Sequence, residues 1–180
     1  MKHVAIYPGS FDPITYGHLD ILERGLALFD KVIVAILINP QKKALFTVDE
    51  RLEMLKASLE AFPNVEIDTF KGLLIDYAVQ KKAQAILRGM RAVSDFEYEF
   101  QMALMNRKFN REIQTVFMMT ELRWIFTSSS IIKEAARFGG EIDDMVPRIV
   151  SRRLKEKFHQ SPSPNKRISC IKNMTRYRKK

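Results

Sequence analysis

The sequence predicts an α/β fold: a single doubly wound, mostly parallel five-stranded sheet with helices on both faces and one further helix at the C-terminal end. Three observations predict it. Short apolar runs rich in Val, Ile and Leu alternate along the chain with longer segments of helical periodicity. The runs Val4-Ala5-Ile6 and Val32 to Ile38 are continuously apolar, the pattern of strands covered on both faces. Strand-helix-strand alternation of this kind closes through right-handed crossovers, which place the helices on either side of the sheet.

Taken in order, Val4-Ala5-Ile6 is the first strand, and Leu19, Leu22, Leu26 and Phe29 recur at helical spacing after it. Lys31 to Ile38 is the second strand, followed by the loop Asn39 to Phe46 and a helix opened by the capping box Thr47-x-x-Glu50. Val65 to Thr69 is the third, with a helix over Leu73 to Lys82. Gln84 to Arg88 is the fourth, ending in Arg88-Gly89-Met90-Arg91, where the glycine is read as freeing a turn. A second capping box, Ser94-x-x-Glu97, opens a helix running to about Phe109. Its apolar stripe of Phe96, Phe100, Leu104 and Met105 reads as core or subunit interface. Ile113 to Met118 is the fifth strand, Ser128-Ser129-Ser130 starts a helix ending near Gly139-Gly140, and Pro147 to Phe158 is the last helix.

Composition narrows the classes. With 180 residues, 46% of them hydrophobic, the chain suits one domain with a substantial core. The longest wholly apolar run, Val32 to Ile38, is too short to span a bilayer, and the N-terminus enters a strand directly, so a cytoplasmic protein without membrane contact is expected. The single cysteine, Cys170, excludes an internal disulfide framework and a cysteine-based metal cluster. The net charge is +9, but from Ser161 onward there are seven basic residues and no acidic ones, leaving +2 for the body. Residues 1–160 are therefore read as the folded domain and 161–180 as a flexible basic extension that begins with a Ser-Pro-Ser-Pro linker. A binding role for that extension toward nucleic acid is the alternative from a different class.

Ligands in such sheets bind beyond the carboxyl ends of the strands, and the polar clusters fall there. The stretch Tyr7-Pro8-Gly9-Ser10-Phe11-Asp12-Pro13-Ile14-Thr15-Tyr16-Gly17-His18 is a strand-to-helix turn that reads as a nucleotide-phosphate site. Gly9 and Gly17 would let backbone approach a ligand, Ser10 and Thr15 offer hydroxyls, and His18 falls in the first helical turn, where free N–H groups favour phosphate. Ser128 to Ser130 make a second helix start aimed at the same cleft. Lys42, Arg88 and Arg91 would add charge, Arg suiting bidentate phosphate binding and Lys acting as a point charge. Arg88, at the rim of a buried strand, needs a counter-charge.

Thr15-x-Gly17-His18 together with the later triple serine resembles the signature of the nucleotidyltransferase superfamily, which implies a Rossmann-like fold. Pro8 to Pro13, Lys42-Lys43 and Arg88-Gly89-Met90-Arg91 followed by Asp95-Phe96-Glu97-Tyr98-Glu99 narrow the resemblance to bacterial phosphopantetheine adenylyltransferases, from His3 to about Phe158. It implies transfer of adenylyl from ATP to 4'-phosphopantetheine, giving dephospho-coenzyme A and pyrophosphate, by a homohexamer. It also implies ATP contacts at Ser10, Phe11, His18, Gly89, Met90, Arg91, Glu99 and Trp124, Ile125, Phe126, Thr127, Ser128, Ser129 and Ser130. Acceptor contacts would come from Ser10, Lys42, Leu74 and Arg88. His18 is the expected catalytic residue, as a donor to the α-phosphate. No protein metal ligands are expected; Mg²⁺ would ride on the substrate phosphates. The family's usual residues before the triple serine are replaced here by Thr120-Glu121-Leu122-Arg123-Trp124-Ile125-Phe126-Thr127. A related nucleotidyltransferase with another phosphorylated acceptor is the nearest alternative.

Overall fold

The computed structural model describes residues 3–39, 43–91 and 93–159. The strands are β1 (Val4–Gly9), β2 (Lys31–Leu37), β3 (Val65–Phe70), β4 (Ala85–Met90) and β5 (Gln114–Met119). They form one five-stranded sheet in the order β3-β2-β1-β4-β5, every neighbouring pair parallel. The helices are α1 (Tyr16–Leu26), α2 (Val48–Leu59), α3 (Leu74–Gln80), α4 (Val93–Phe109), α5 (Ser129–Arg137) and α6 (Arg148–His159). The expected sheet and its C-terminal helix are thus present. The basic extension and Lys42 lie outside the described residues.

Alternate residues of each strand feed two cores. Val32, Val34 and Ile36 join Tyr7 and Leu87 on the face covered by α1, α2, α5 and α6, with Ile21, Leu22, Met54, Leu55, Ile132, Val150 and Leu154. Ile33, Ala35, Ile6 and Ile86 face the other way, onto Phe70 and the Ile75, Tyr77 and Ala78 side of α3. Burial on both faces is why the runs in β1 and β2 are continuously apolar.

α4 begins at Val93, which places Ser94 in its first turn. One local expectation needs correction. Gly89 belongs to β4 and frees no turn; a Cβ there would stand 2.9 Å from Cγ1 of Ile21, so the glycine lets α1 pack closely on the strand. The α4 stripe is not core either. Phe96, Phe100, Leu104 and Met105 are 42–53% exposed, and the rings of Phe96 and Phe100 stack on each other. By contrast, the Thr47 box forms as expected: Oγ1 of Thr47 accepts from the Glu50 N–H, and the Glu50 carboxylate accepts from the Thr47 N–H at 2.7 Å.

Candidate active site

The strand order reverses at β1. From there the chain builds outward through β2 and β3, then returns to place β4 on the opposite side. β1 pairs with β2 along its whole length but with β4 only at Ala5↔Ala85 and Ile6↔Ile86. Beyond Ile6 the two central strands therefore part, and Pro8 has no N–H with which to continue the ladder. A cleft of about 600 Å³ opens at this point. It gathers Ser10, His18, Leu74, Arg88, Gly89, Arg91, Glu99 and Thr127 to Ser130. A second hollow of about 590 Å³ lies along α6, lined by Asp143, Arg148, Ser151, Arg152, Lys155 and Glu156. It shares no lining residue with the cleft, and Lys155 and Ser151 already occupy the Asp143 carboxylate.

His18 is the third residue of α1 and takes the place that Glu or Gln holds in a capping box. Its Nδ1 accepts the backbone N–H of Thr15 at 3.1 Å, with the Thr15 hydroxyl 2.8 Å away. A ring nitrogen that accepts carries no hydrogen, so the imidazole is neutral and Nε2 bears the N–H. Burial, then the nearby Arg91 and Arg88 guanidinium groups, lower its pKa from 6.5 to about 4. The Phe11 ring stands edge-on at 5.2 Å, itself packed against Tyr7. Phe11 reaches that position with φ +44, a left-handed conformation costing about 1–2 kcal/mol that burial of the ring offsets. The glycine at position 9 is explained by the same ring, because a Cβ there would meet it at 2.9 Å.

Arg88 has its counter-charge within the chain. Glu99 takes its Nε at 2.7 Å and its Nη2 as well, while Nη1 donates to the Pro8 carbonyl at 3.1 Å across the parted strands. Three of the five guanidinium donors are used, which leaves two for a ligand. Arg91 is held by Asp95 through longer contacts, 3.3 Å from Nε and 3.5 Å from Nη2. Ser128 caps α5 by accepting the Ile131 N–H at 3.1 Å, and Ser129 donates to the Pro13 carbonyl at 2.8 Å. The free N–H groups of the α5 start thus sit against the first loop.

Not every expected contact residue lines the cleft. Phe11 is buried behind it, and Met90, Trp124, Ile125 and Phe126 are outside its lining. Trp124 packs on Tyr16 at 5.4 Å, with the Arg123 guanidinium over its other side, and Phe126 is 84% exposed.

Sequence reasoning gave no role to three residues that shape the site. Tyr7 lines the cleft wall, and burial keeps its hydroxyl protonated by pushing its pKa well up. Arg51 donates to the Ser10 carbonyl at 2.9 Å. Asp12, almost wholly buried, accepts from the N–H groups of Leu45 and Phe46 at 3.0 and 2.9 Å and from Lys133 at 2.6 Å. Burial alone would raise its pKa, but Lys133 and the two N–H groups outweigh that and hold it below the usual range. The only sequence signal for Asp12 was a charged residue between Phe11 and Pro13.

Comparison with known proteins defines the class first. A family profile described as cytidylyltransferase-like matches residues 6–135, and the parted parallel strands with two helix starts facing one cleft are the fold and site of a nucleotidyltransferase. A structure assigned as a candidate nicotinate-nucleotide adenylyltransferase from Vibrio parahaemolyticus shares the fold, with a TM-score of 0.62 at 18% identity over 91% of this chain and 98% of that one. Closer relatives carry the name phosphopantetheine adenylyltransferase. One from Desulfatibacillum aliphaticivorans is 71% identical over 157 residues, 87% of this chain and 90% of its own length. Another, from Caldanaerobacter subterraneus subsp. tengcongensis, is 57% identical over 158 residues, 88% and 99% respectively. The chain belongs to the phosphopantetheine adenylyltransferase family.

Proposed function

We propose that this protein transfers the adenylyl group of ATP to 4'-phosphopantetheine, giving dephospho-coenzyme A and pyrophosphate in coenzyme A biosynthesis. An oxygen of the acceptor phosphate attacks the α-phosphorus of ATP in line, a new P–O bond forms, and the bond to the bridging oxygen of pyrophosphate breaks. No protein nucleophile takes part. The observation that carries this reading is the neutral imidazole of His18 beside Arg88, Arg91 and the start of α5, donors that meet at one parting of the sheet, with the neighbouring Glu99 and Asp95 carboxylates held by the two arginines.

His18 donates from Nε2 as charge builds on the α-phosphate, a role worth about 10²–10³ in rate for a preorganised donor. Arg91, Gly89 and Thr127 to Ser130 hold ATP; Arg88, Lys42, Ser10 and Leu74 hold the acceptor. Glu99 acts through Arg88, whose guanidinium it orients. Mg²⁺ accompanies the nucleotide. The ion would rest on phosphate oxygens and water, as Mg²⁺ usually does with nucleotides. The exposed apolar residues of α4 support a homohexamer in which that helix is covered. No described helix is long and apolar enough to cross a membrane, and the substrates suit a cytoplasmic enzyme.

A panel of phosphorylated acceptors tests the proposal. ATP with 4'-phosphopantetheine should release one pyrophosphate per dephospho-coenzyme A, with pantetheine itself inert. Turnover confined to nicotinate mononucleotide, or to CTP as donor, would overturn it.

A further inference from the structure

The turn from Ser10 to Tyr16 leads into α1 and hence to His18, and it is fastened at four points to α2, the loop before α2, α5 and the segment at Met145. The Ser10 carbonyl accepts from Arg51 of α2, the Pro13 carbonyl accepts from Ser129 of α5, and Tyr16 donates to the Met145 carbonyl at 3.0 Å. The fourth point is Asp12. Its carboxylate accepts from a loop 33 residues ahead and from a lysine 121 residues ahead, so one side chain touches both flanks of the cleft. The loop side, Leu45 and Phe46, comes two residues after Lys43 in sequence; the helix side, Lys133, is one turn into the helix that Ser128 caps. Asp12 is 4% exposed and does not line the cleft, so its charge serves internal contacts and not a ligand.

We propose that Asp12, paired with Lys133, is a positioning residue for the transfer: it sets the loop before α2 and the start of α5 at a fixed distance from His18. Donors on separate elements then converge on one reacting phosphate. The inference rests on the adenylyl transfer proposed above. A buried carboxylate that accepts from a lysine and two backbone N–H groups makes three charge-assisted hydrogen bonds, so it holds its neighbours tightly. Displacement of a catalytic group by about 1 Å can cost roughly 10²-fold in rate, whereas each substrate alone can still settle on its own half of the site.

Lys133→Met is the informative variant. The lysine side chain is 26% exposed, and methionine preserves its length and the helix. Circular dichroism first confirms the native helix content at the assay temperature. We expect kcat to fall 10- to 100-fold, dissociation constants for ATP and for 4'-phosphopantetheine measured separately to stay within threefold, and Lys133→Arg to recover kcat to within threefold of the parent. Asp12→Asn, which loses the charge from the other partner, should show the same split. A folded Lys133→Met enzyme with kcat within threefold of the parent would overturn the proposal, as would equal losses in binding and turnover. Should the parent itself release no pyrophosphate, the reading of its reaction fails. The positioning claim is then decided by amide hydrogen exchange, at least tenfold faster at Leu45 and Phe46 in Lys133→Met if it is right and unchanged if it is wrong.

Discussion

The pKa of His18 is lowered, whereas the phosphates proposed to bind beside it would raise it, and the consequences are measurable. Its pKa falls from 6.5 to about 4, so the folded protein binds fewer protons there than the unfolded chain. Its share of stability is therefore complete above about pH 6.5 and is lost as the pH falls toward 4. At 1.36 kcal/mol per unit the loss reaches about 3 kcal/mol. Urea unfolding of the parent and of His18→Gln at pH 7.5 and 4.5 isolates this share, because the carboxylates titrate alike in both. The parent should lose about 2–3 kcal/mol more than the variant between the two pH values. Activity gives a second reading. At pH 7 only about one ring in a thousand is cationic if the pKa is near 4, so kcat between pH 7 and 8.5 should be flat with respect to His18. A tenfold fall per unit across that range would mean that the imidazolium is the donor, and equal acid destabilisation of parent and variant would refute the neutral, buried ring.

Three further outcomes follow from the geometry. Removing a charged partner of a bound phosphate costs about 2–5 kcal/mol, so Arg88→Ala should weaken 4'-phosphopantetheine binding with ATP little changed, and Arg91→Ala should do the reverse; calorimetric titration of each variant with each ligand alone checks this, equal losses throughout counting against it. Gly89→Ala places a methyl group 2.9 Å from the buried Ile21 and should destabilise by about 1–3 kcal/mol, read as a lower urea midpoint at unchanged slope. A chain ending at Gln160 should keep its thermal midpoint, assembly and kcat, since the family resemblance ends near Phe158; marked loss of any of these would make the basic extension structural.

Much of this architecture is legible in the sequence because burial on both faces writes itself into a strand. The continuous run Val32 to Ile36 could serve little else, and Thr47 with Glu50 announced a helix start through purely local bonds. The Thr15–His18 box is equally local, yet it was hidden because histidine stands where Glu or Gln is usual. Long-range reasons left no trace. Gly89 reads as a turn glycine until Ile21 is seen against it, and nothing around Asp12 names Leu45, Phe46 or Lys133. Arg88 was correctly marked as needing a counter-charge, but that Glu99 supplies it depends on how α4 lies over β4.

The stereochemical course at phosphorus tests direct transfer most sharply. With ATP bearing a chiral α-phosphorothioate, attack by the acceptor on a phosphorus held between His18, Arg91 and the start of α5 is a single displacement, and the dephospho-coenzyme A analogue should form with inversion of configuration. Retention would require two displacements through an adenylylated side chain and would contradict catalysis by positioning and charge stabilisation alone.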